Sequence, residues 1–126
     1  GATGLADAFA TLKQDHADAL FVFPDPLTFG NRDAIASFAN TNSVPALFGA
    51  REFIEAGGLM SYGSDYPAMF RRAGNYVGRI LNGESPADLP VERPAKFELI
   101  INLRTAKAFG FDIAPMLLAR ADEVIE

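Results

Sequence analysis

The stretch GGLMSYGSDYPAMFRRAGNYVGRILNGE, residues 57–84, changes its hydrophobic period once, and that change decides the fold. Two glycines admit LMSY, residues 59–62, a short apolar segment that reads as a strand. A polar corner, Gly63-Ser64-Asp65-Tyr66-Pro67, follows. Beyond it Phe70, Ala73, Val77, Ile80 and Leu81 recur on one stripe of a helix over 66–82, while Arg71, Arg72, Asn75 and Arg79 lie mostly elsewhere. Asn82-Gly83 stops the helix. Strand, corner and helix make one α/β unit.

The same alternation continues toward the amino terminus. Leu5, Phe9 and Leu12 stand at helical spacing after Thr3, an N-cap, and predict a helix over 4–15. ALFVF, residues 19–23, is uninterrupted apolar, as expected of a central parallel strand covered on both faces. PDPLTFGN reads as a loop, and Ile35 and Phe38 mark a helix over 32–41. VPALF, residues 44–48, is a second strand. AREFIEAGG then allows one or two helical turns and a flexible crossing at Gly57-Gly58.

Toward the carboxyl terminus, ESPADLPVERPA carries three prolines in a dozen residues and predicts an extended connection. FELII, residues 97–101, is a fourth strand, and Asn102 caps a helix over 103–109 closed by Gly110. A turn of helix through Arg120 and a strand at Glu123-Val124-Ile125 end the chain. Strands alternating with helices predict a Rossmann-like α/β sandwich with a largely parallel sheet. In such sheets ligands sit beyond the carboxyl ends of the strands. That directs attention to Pro24-Asp25-Pro26, Gly49-Ala50-Arg51-Glu52 and Gly63-Ser64-Asp65-Tyr66.

Composition removes several chemistries. The chain has 126 residues, 49% of them hydrophobic, which suits one domain. Its formal net charge is -5 and its 11 basic residues are scattered, so no footprint for a phosphate backbone exists and nucleic acid is not an expected partner. There is no cysteine and one histidine, His16, which leaves no parts for thiolate metal sites or a Ser-His-Asp triad. No cofactor and no metal are expected. Neither a P-loop nor a dinucleotide fingerprint occurs, and Gly63-Ser64-Asp65 lacks the glycines of a nucleophile elbow. No run of 18 apolar residues and no basic-then-apolar leader is present, and the start at Gly-Ala-Thr reads as a mature or cut chain.

Asp25, Glu52 and Asp65 each follow a strand. Alone, any one of them reads as a turn former or a helix-end partner. Three at successive strand ends point to a binding cleft rather than to catalysis. At the corner itself, Ser64 reads as the N-cap of the helix, so that its hydroxyl and the N–H groups of residues 65–67 make a small anion site. Phe29 and Tyr66 suit either the core or stacking on a ligand.

Several motifs carry a family resemblance that covers nearly the whole chain. They are the Gly-Gly-x-x-Ser-Tyr-Gly strand, the Ile-Leu-x-Gly-x-x-Pro-Ala-Asp-Leu-Pro-Val-Glu connection, and the Lys-Phe-Glu-Leu-Ile-Ile-Asn-Leu-x-Thr-Ala-Lys step from strand to helix. With these the chain resembles the substrate-binding proteins of ABC transporters, in the group that includes tryptophan- and tyrosine-type binders. The resemblance implies part of a two-lobed type I periplasmic binding protein that delivers a small solute to a membrane permease, without catalysis. It places 1–56 and 85–126 in the C-terminal lobe and 57–84 as a crossover strand and helix of the N-terminal lobe, with hinges at Gly57-Gly58 and 85–94. It also implies a cleft lined by Pro24, Asp25, Gly49, Arg51, Glu52, Gly63, Ser64, Asp65 and Tyr66, fitted to an amino acid or similar carboxylate. If the crossover is an excursion, Leu59–Tyr62 lacks a sheet and the apolar stripe lacks a core. The isolated chain is then expected to self-associate as a two-fold dimer. A flavodoxin-like enzyme using Asp25 and Asp65, or a sensor module that no longer binds solute, are the competing readings.

Overall fold

Five strands lie side by side in chain order: β1 (Leu20–Val22), β2 (Ala46–Phe48), β3 (Met60–Ser64), β4 (Phe97–Asn102) and β5 (Glu123–Ile125). The computed structural model describes residues 2–94 and 96–126. β1 and β2, β2 and β3, and β4 and β5 pair in parallel, and β3 and β4 run antiparallel. α1 (Ala2–Gln14) precedes β1, and between the strands come α2 (Pro26–Gly30), α3 (Arg32–Thr41), α4 (Glu52–Glu55), α5 (Tyr66–Leu81), α6 (Leu103–Phe109) and α7 (Pro115–Leu118). The α/β class and the largely parallel sheet are as the sequence predicts.

The core forms where α3 and α4 cover the middle of the sheet. Ile35 and Ala39 of α3, Phe48 of β2, Phe53 and Ile54 of α4 and Ile100 of β4 are buried together. Phe48 and Phe53 stack with ring centroids 4.9 Å apart. α1 docks on α3 through the stacked rings of Phe9 and Phe38, 4.1 Å apart. Asn102 caps α6 by accepting from the Thr105 N–H at 3.2 Å, and Gly110 closes that helix at φ 74°, both as expected.

Five expectations need correction. β1 is not central: among the described residues its one strand neighbour is β2, and Phe21 and Phe23 are 51% and 69% exposed. PDPLTFGN is not all loop, since Pro26 at the first helical position and the Asp25 cap fold residues 26–30 into α2. Thr3 lies inside α1, not ahead of it. The proline-rich return holds one 3-10 turn, Pro86–Asp88, capped by Ser85, and its last residue, Ala95, lies outside the described residues.

The fifth correction changes the architecture. The segment Leu59–Tyr62, expected to lack a sheet, enters β3, which sits in the middle of this one between β2 and β4. Gly57-Gly58 is likewise no loose crossing. The Gly57 carbonyl accepts from Asn40 Nδ2 at 2.9 Å and from Thr105 Oγ1 at 3.0 Å. A Cβ on Gly58 would stand 2.6 Å from Phe48 Cε2 and 2.7 Å from the Phe53 carbonyl oxygen. Of the crossover, what remains without a core is the apolar stripe of α5, a helix none of whose residues is fully buried.

Candidate functional site

The carboxyl ends of β1, β2 and β3 converge, and they do so by backbone contact. The Gly49 N–H donates to the Val22 carbonyl at 3.1 Å, which ties the second loop to the first strand. A Cβ on Gly49 would lie 2.5 Å from Pro24 Cδ, and one on Gly63 would lie 2.0 Å from the Gly49 carbonyl oxygen. No side chain fits at either glycine. Pro24, Gly49 and Gly63 are therefore brought together as the sequence predicts, and the reason for glycine is proximity.

Asp25 and Asp65 occupy equivalent places at the starts of α2 and α5. Asp25 Oδ1 accepts from the Thr28 N–H at 2.8 Å while Thr28 Oγ1 accepts from the Asp25 N–H at 2.9 Å, a capping box. Asp65 Oδ1 accepts from the Ala68 N–H at 2.8 Å. The N-cap of α5 is thus Asp65 rather than Ser64, which ends β3 opposite Phe97. That correction reverses the local electrostatics. The corner already holds a carboxylate at the positive helix end, so it suits an incoming cation better than a second anion.

Arg51 and Glu52 open α4. Arg51 donates to Glu123 Oε2 at 2.6 Å and lies 3.6 Å from Glu98, so it ties the second loop to β4 and β5. The hydrogen bond to Glu123 holds its guanidinium protonated above the ordinary arginine range, against the opposing effect of burial. Among the described residues no acceptor takes the N–H of Arg51 or Glu52. Tyr66 meets Phe29 edge to face at 5.8 Å, and Phe29 meets Phe53 at 5.5 Å, so this aromatic pair continues the core to the surface.

The sequence reading missed a second feature. An open groove of about 470 Å³ runs beside α5, lined by Asp65, Ala68, Met69 and Arg72 on one side and Glu92, Arg93, Pro94 and Lys96 on the other. Of the predicted site residues only Asp65 reaches it. The groove exists because residues 90–94 return along α5, where Arg72 forms a double hydrogen bond with Glu92 and the Tyr76 hydroxyl donates to the Pro90 carbonyl at 2.9 Å. The spacing of Arg72, Tyr76 and Arg79 on one helix face was the available signal; the sequence places those arginines only away from the apolar stripe. Among the described residues no group of three or more metal-ligating side chains occurs.

Comparison with known proteins shows the family and the fold. The chain is 32% identical to the tyrosine-binding protein of Clostridioides difficile (strain R20291) over 91 residues, which are 72% of this chain and 26% of that protein. A crystal structure of a conserved domain protein from Vibrio cholerae O1 biovar eltor superposes with TM-score 0.85 at 26% identity, covering 94% of this chain and 40% of that one. The ABC domain in complex with L-Trp from Streptococcus pneumonia gives TM-score 0.82 at 27% identity, covering 91% and 39%. The chain thus spans about a quarter of its curated relative and about two-fifths of these structures. The model of the ABC transporter substrate binding protein family matches residues 4–125, and the chain belongs to that family.

Proposed function

We propose that this chain supplies one wall of an interlobe cleft that binds an amino acid or similar small carboxylate for an ABC importer, without catalysis. The observation that carries the reading is the convergence of three strand ends, held by the Gly49 and Gly63 contacts, in a member of a substrate-binding family. Asp25 and Asp65 each commit Oδ1 to a cap, which leaves the second oxygen to accept from a solute ammonium. The solute carboxylate is placed on the N–H groups of Arg51 and Glu52. Glu52 lies beside these donors, Ser64 sets the end of β3, and Phe29 and Tyr66 offer an aromatic wall, in keeping with relatives described as tyrosine-binding and as bound to L-Trp.

In this reading the protein works outside the cytoplasmic membrane, in the periplasm where the cell has one, and hands solute to a permease. β3 stays with the lobe described above, and α5 with its return segment belongs with the other. On its own, the 126-residue chain exposes Phe70, Val77, Ile80 and Leu81, and burying them would gain about 1.5–3 kcal/mol per side chain. Self-association, most simply as a two-fold dimer through α5, follows from that face alone, since β3 has its neighbours. The enzyme alternative would draw on the same second oxygens of Asp25 and Asp65, and turnover that disappears in Asp25→Asn would favour it over binding.

Calorimetry of the full-length protein with L-Trp and L-Tyr tests the site. Asp25→Asn and Asp65→Asn keep a capping oxygen and remove the charge. Each is expected to weaken binding by about 1.5–3 kcal/mol, or about 10- to 150-fold. Wild-type affinity in both variants would overturn the assignment.

A further inference from the structure

An asparagine followed by glycine carries its own chemistry. The backbone nitrogen of the following residue attacks the carbonyl carbon of the asparagine side chain, and a glycine there presents no side chain to obstruct the ring that forms. The asparagines of this chain, at 31, 40, 42, 75, 82 and 102, are followed by Arg32, Thr41, Ser43, Tyr76, Gly83 and Leu103. Most of them commit the amide elsewhere. Asn31, Asn40 and Asn42 each donate from Nδ2 to a carbonyl, those of Leu27 at 2.8 Å, Gly57 at 2.9 Å and Phe38 at 2.7 Å, and Asn102 Oδ1 accepts from the Thr105 N–H. Among the described residues no hydrogen bond holds the amide of Asn75 or Asn82, and the bulky Tyr76 follows the first. Asn82 combines an exposed position, a free amide and a glycine after it.

The fold sets how readily that chemistry runs. Asn82 is the C-cap of α5, at ψ 8°, and Gly83 follows at φ 98°. While the cap is closed, the Gly83 N–H donates to the Ile80 carbonyl at 2.9 Å and the Glu84 N–H to the Arg79 carbonyl at 3.1 Å, with the Arg79 and Glu84 side chains paired across the stop. Ring closure needs the Gly83 nitrogen released, its proton given up to hydroxide, and Asn82 turned out of its near-helical ψ. The reaction therefore runs only from an opened last turn. No residue of α5 is fully buried, so little resists that opening. Asn42 is the internal comparison, because it too is a helix C-cap, at ψ 5°, with the small Ser43 after it at φ 52°. α3, however, buries Ile35, Ala36 and Ala39, and the Val44 N–H is tied to the Ala39 carbonyl at 2.9 Å just before β2. Opening there disturbs the core.

We propose that Asn82-Gly83 is a self-modification site whose rate is set by the opening of the last turn of α5. The Gly83 nitrogen bonds to Cγ of Asn82 and the side-chain nitrogen leaves as ammonia. One water then opens the resulting succinimide to aspartate or to isoaspartate, with no change of oxidation state. Either product puts a carboxylate at the negative end of α5 and beside Glu84, where it competes for Arg79. Isoaspartate also adds a carbon to the backbone, which spoils the helical spacing of the cap. Asn82 stands three residues beyond Arg79, on the polar side of the helix, so covering the apolar stripe leaves it in solvent. The turn that loosens carries Ile80 and Leu81. A weakened hold of that turn on the other lobe is a consequence that rests on the solute-binding reading; the chemistry does not.

The full-length protein, free of solute, is incubated at mildly alkaline pH, folded in one sample and unfolded in urea in another. Peptide mapping with isoaspartate detection follows each asparagine. Folded Asn82 is expected to react within about tenfold of its own rate in urea, and folded Asn42 at least about a hundredfold below its own. Gly78→Ala, whose methyl group meets nothing within 4 Å, is expected to stiffen α5 and slow folded Asn82 by about 2- to 5-fold while leaving the rate in urea unchanged. An Asn82 that stays intact in the folded protein, an Asn42 as weakly protected as Asn82, or a Gly78→Ala variant with an unchanged folded rate each overturns the proposal. With no solute present, none of these outcomes depends on whether the cleft binds an amino acid.

Discussion

Two regions of this chain have the same kind of apolar pattern and opposite fates. On α3 and α4 the stripe of Ile35, Ala39, Phe53 and Ile54 is buried, whereas on α5 the equally regular stripe of Phe70, Val77, Ile80 and Leu81 is exposed. Phe53 is 0% exposed and Phe70 is 75% exposed. The difference lies in position along the sheet. α4 connects two parallel neighbours, β2 and β3, and must lie on the sheet face to do so. α5 connects antiparallel neighbours, β3 and β4, and a connection of that kind can leave the sheet from its end and return to it.

Matched substitutions break or sharpen that contrast. Phe53→Ala is expected to cost about 3–5 kcal/mol in urea unfolding and Phe70→Ala less than about 0.5 in dilute solution. Equal losses would mean that α5 has a core after all.

Glycine gives the next largest difference. Gly58→Ala forces a methyl group into Phe48 and the Phe53 carbonyl and is expected to cost about 1–3 kcal/mol. Gly78→Ala meets nothing within 4 Å and is expected to stabilise α5 by about 0.5–1 kcal/mol, read as slower amide exchange over 66–81 with an unchanged global midpoint. A shift of the whole unfolding transition by Gly78→Ala would join the two regions into one cooperative unit.

The caps separate the regions more gently. Asp25→Ala removes a capping box beside the core, and Asp65→Ala removes one hydrogen bond at the start of α5. Each is expected to cost about 1 kcal/mol of helix stability. The first loss should appear in global unfolding and the second in local exchange of α5. The reverse assignment would contradict the division drawn here.

The smallest effect is one of pH. The Arg72 guanidinium, assisted by Tyr76, lowers the Glu92 carboxyl from its ordinary 4.5 to about 2. A depressed carboxylate contributes stability above its unfolded value and loses it as the pH falls through the folded one. The Arg72–Glu92 pair should therefore be unchanged from about pH 8 to 5 and loosen from about pH 4.5 to 2. A carbon-13 titration of Glu92 with its midpoint near the ordinary value would show the pair to be open in solution.

Most of the fold was legible because periodicity reports which way side chains face. The strands at 44–48 and 97–101, the helix at 32–41, the Asn102 cap and the Gly110 stop all follow from spacing and cap chemistry. Strand order does not. ALFVF is as apolar as a central strand, yet β1 has one neighbour, and no local pattern distinguishes a strand covered by its own chain from one left open. The Leu59–Tyr62 segment shows the same limit: its alternation indicates a strand, while its place between β2 and β4 depends on partners far away in sequence. At the site, glycines 49 and 63 were legible as corners, but their mutual contact was not, because it joins loops 14 residues apart through backbone atoms alone. The choice between Ser64 and Asp65 as cap turned on β3 running two residues further, to Ser64.

The contact of Gly63 with the Gly49 carbonyl separates support from recognition. The spacing of the strand ends is set by main-chain atoms, which every variant shares, and requires only that two positions stay glycine. The side chains at 25, 51, 52, 65 and 66 stand around that frame, and several also carry local duties, the caps at 25 and 65 and the Arg51 tie to Glu123. Exchanging them costs local stability and leaves the glycine contact in place. Libraries that randomise those five positions with Gly49 and Gly63 fixed should therefore yield folded proteins more often than libraries that also randomise the two glycines.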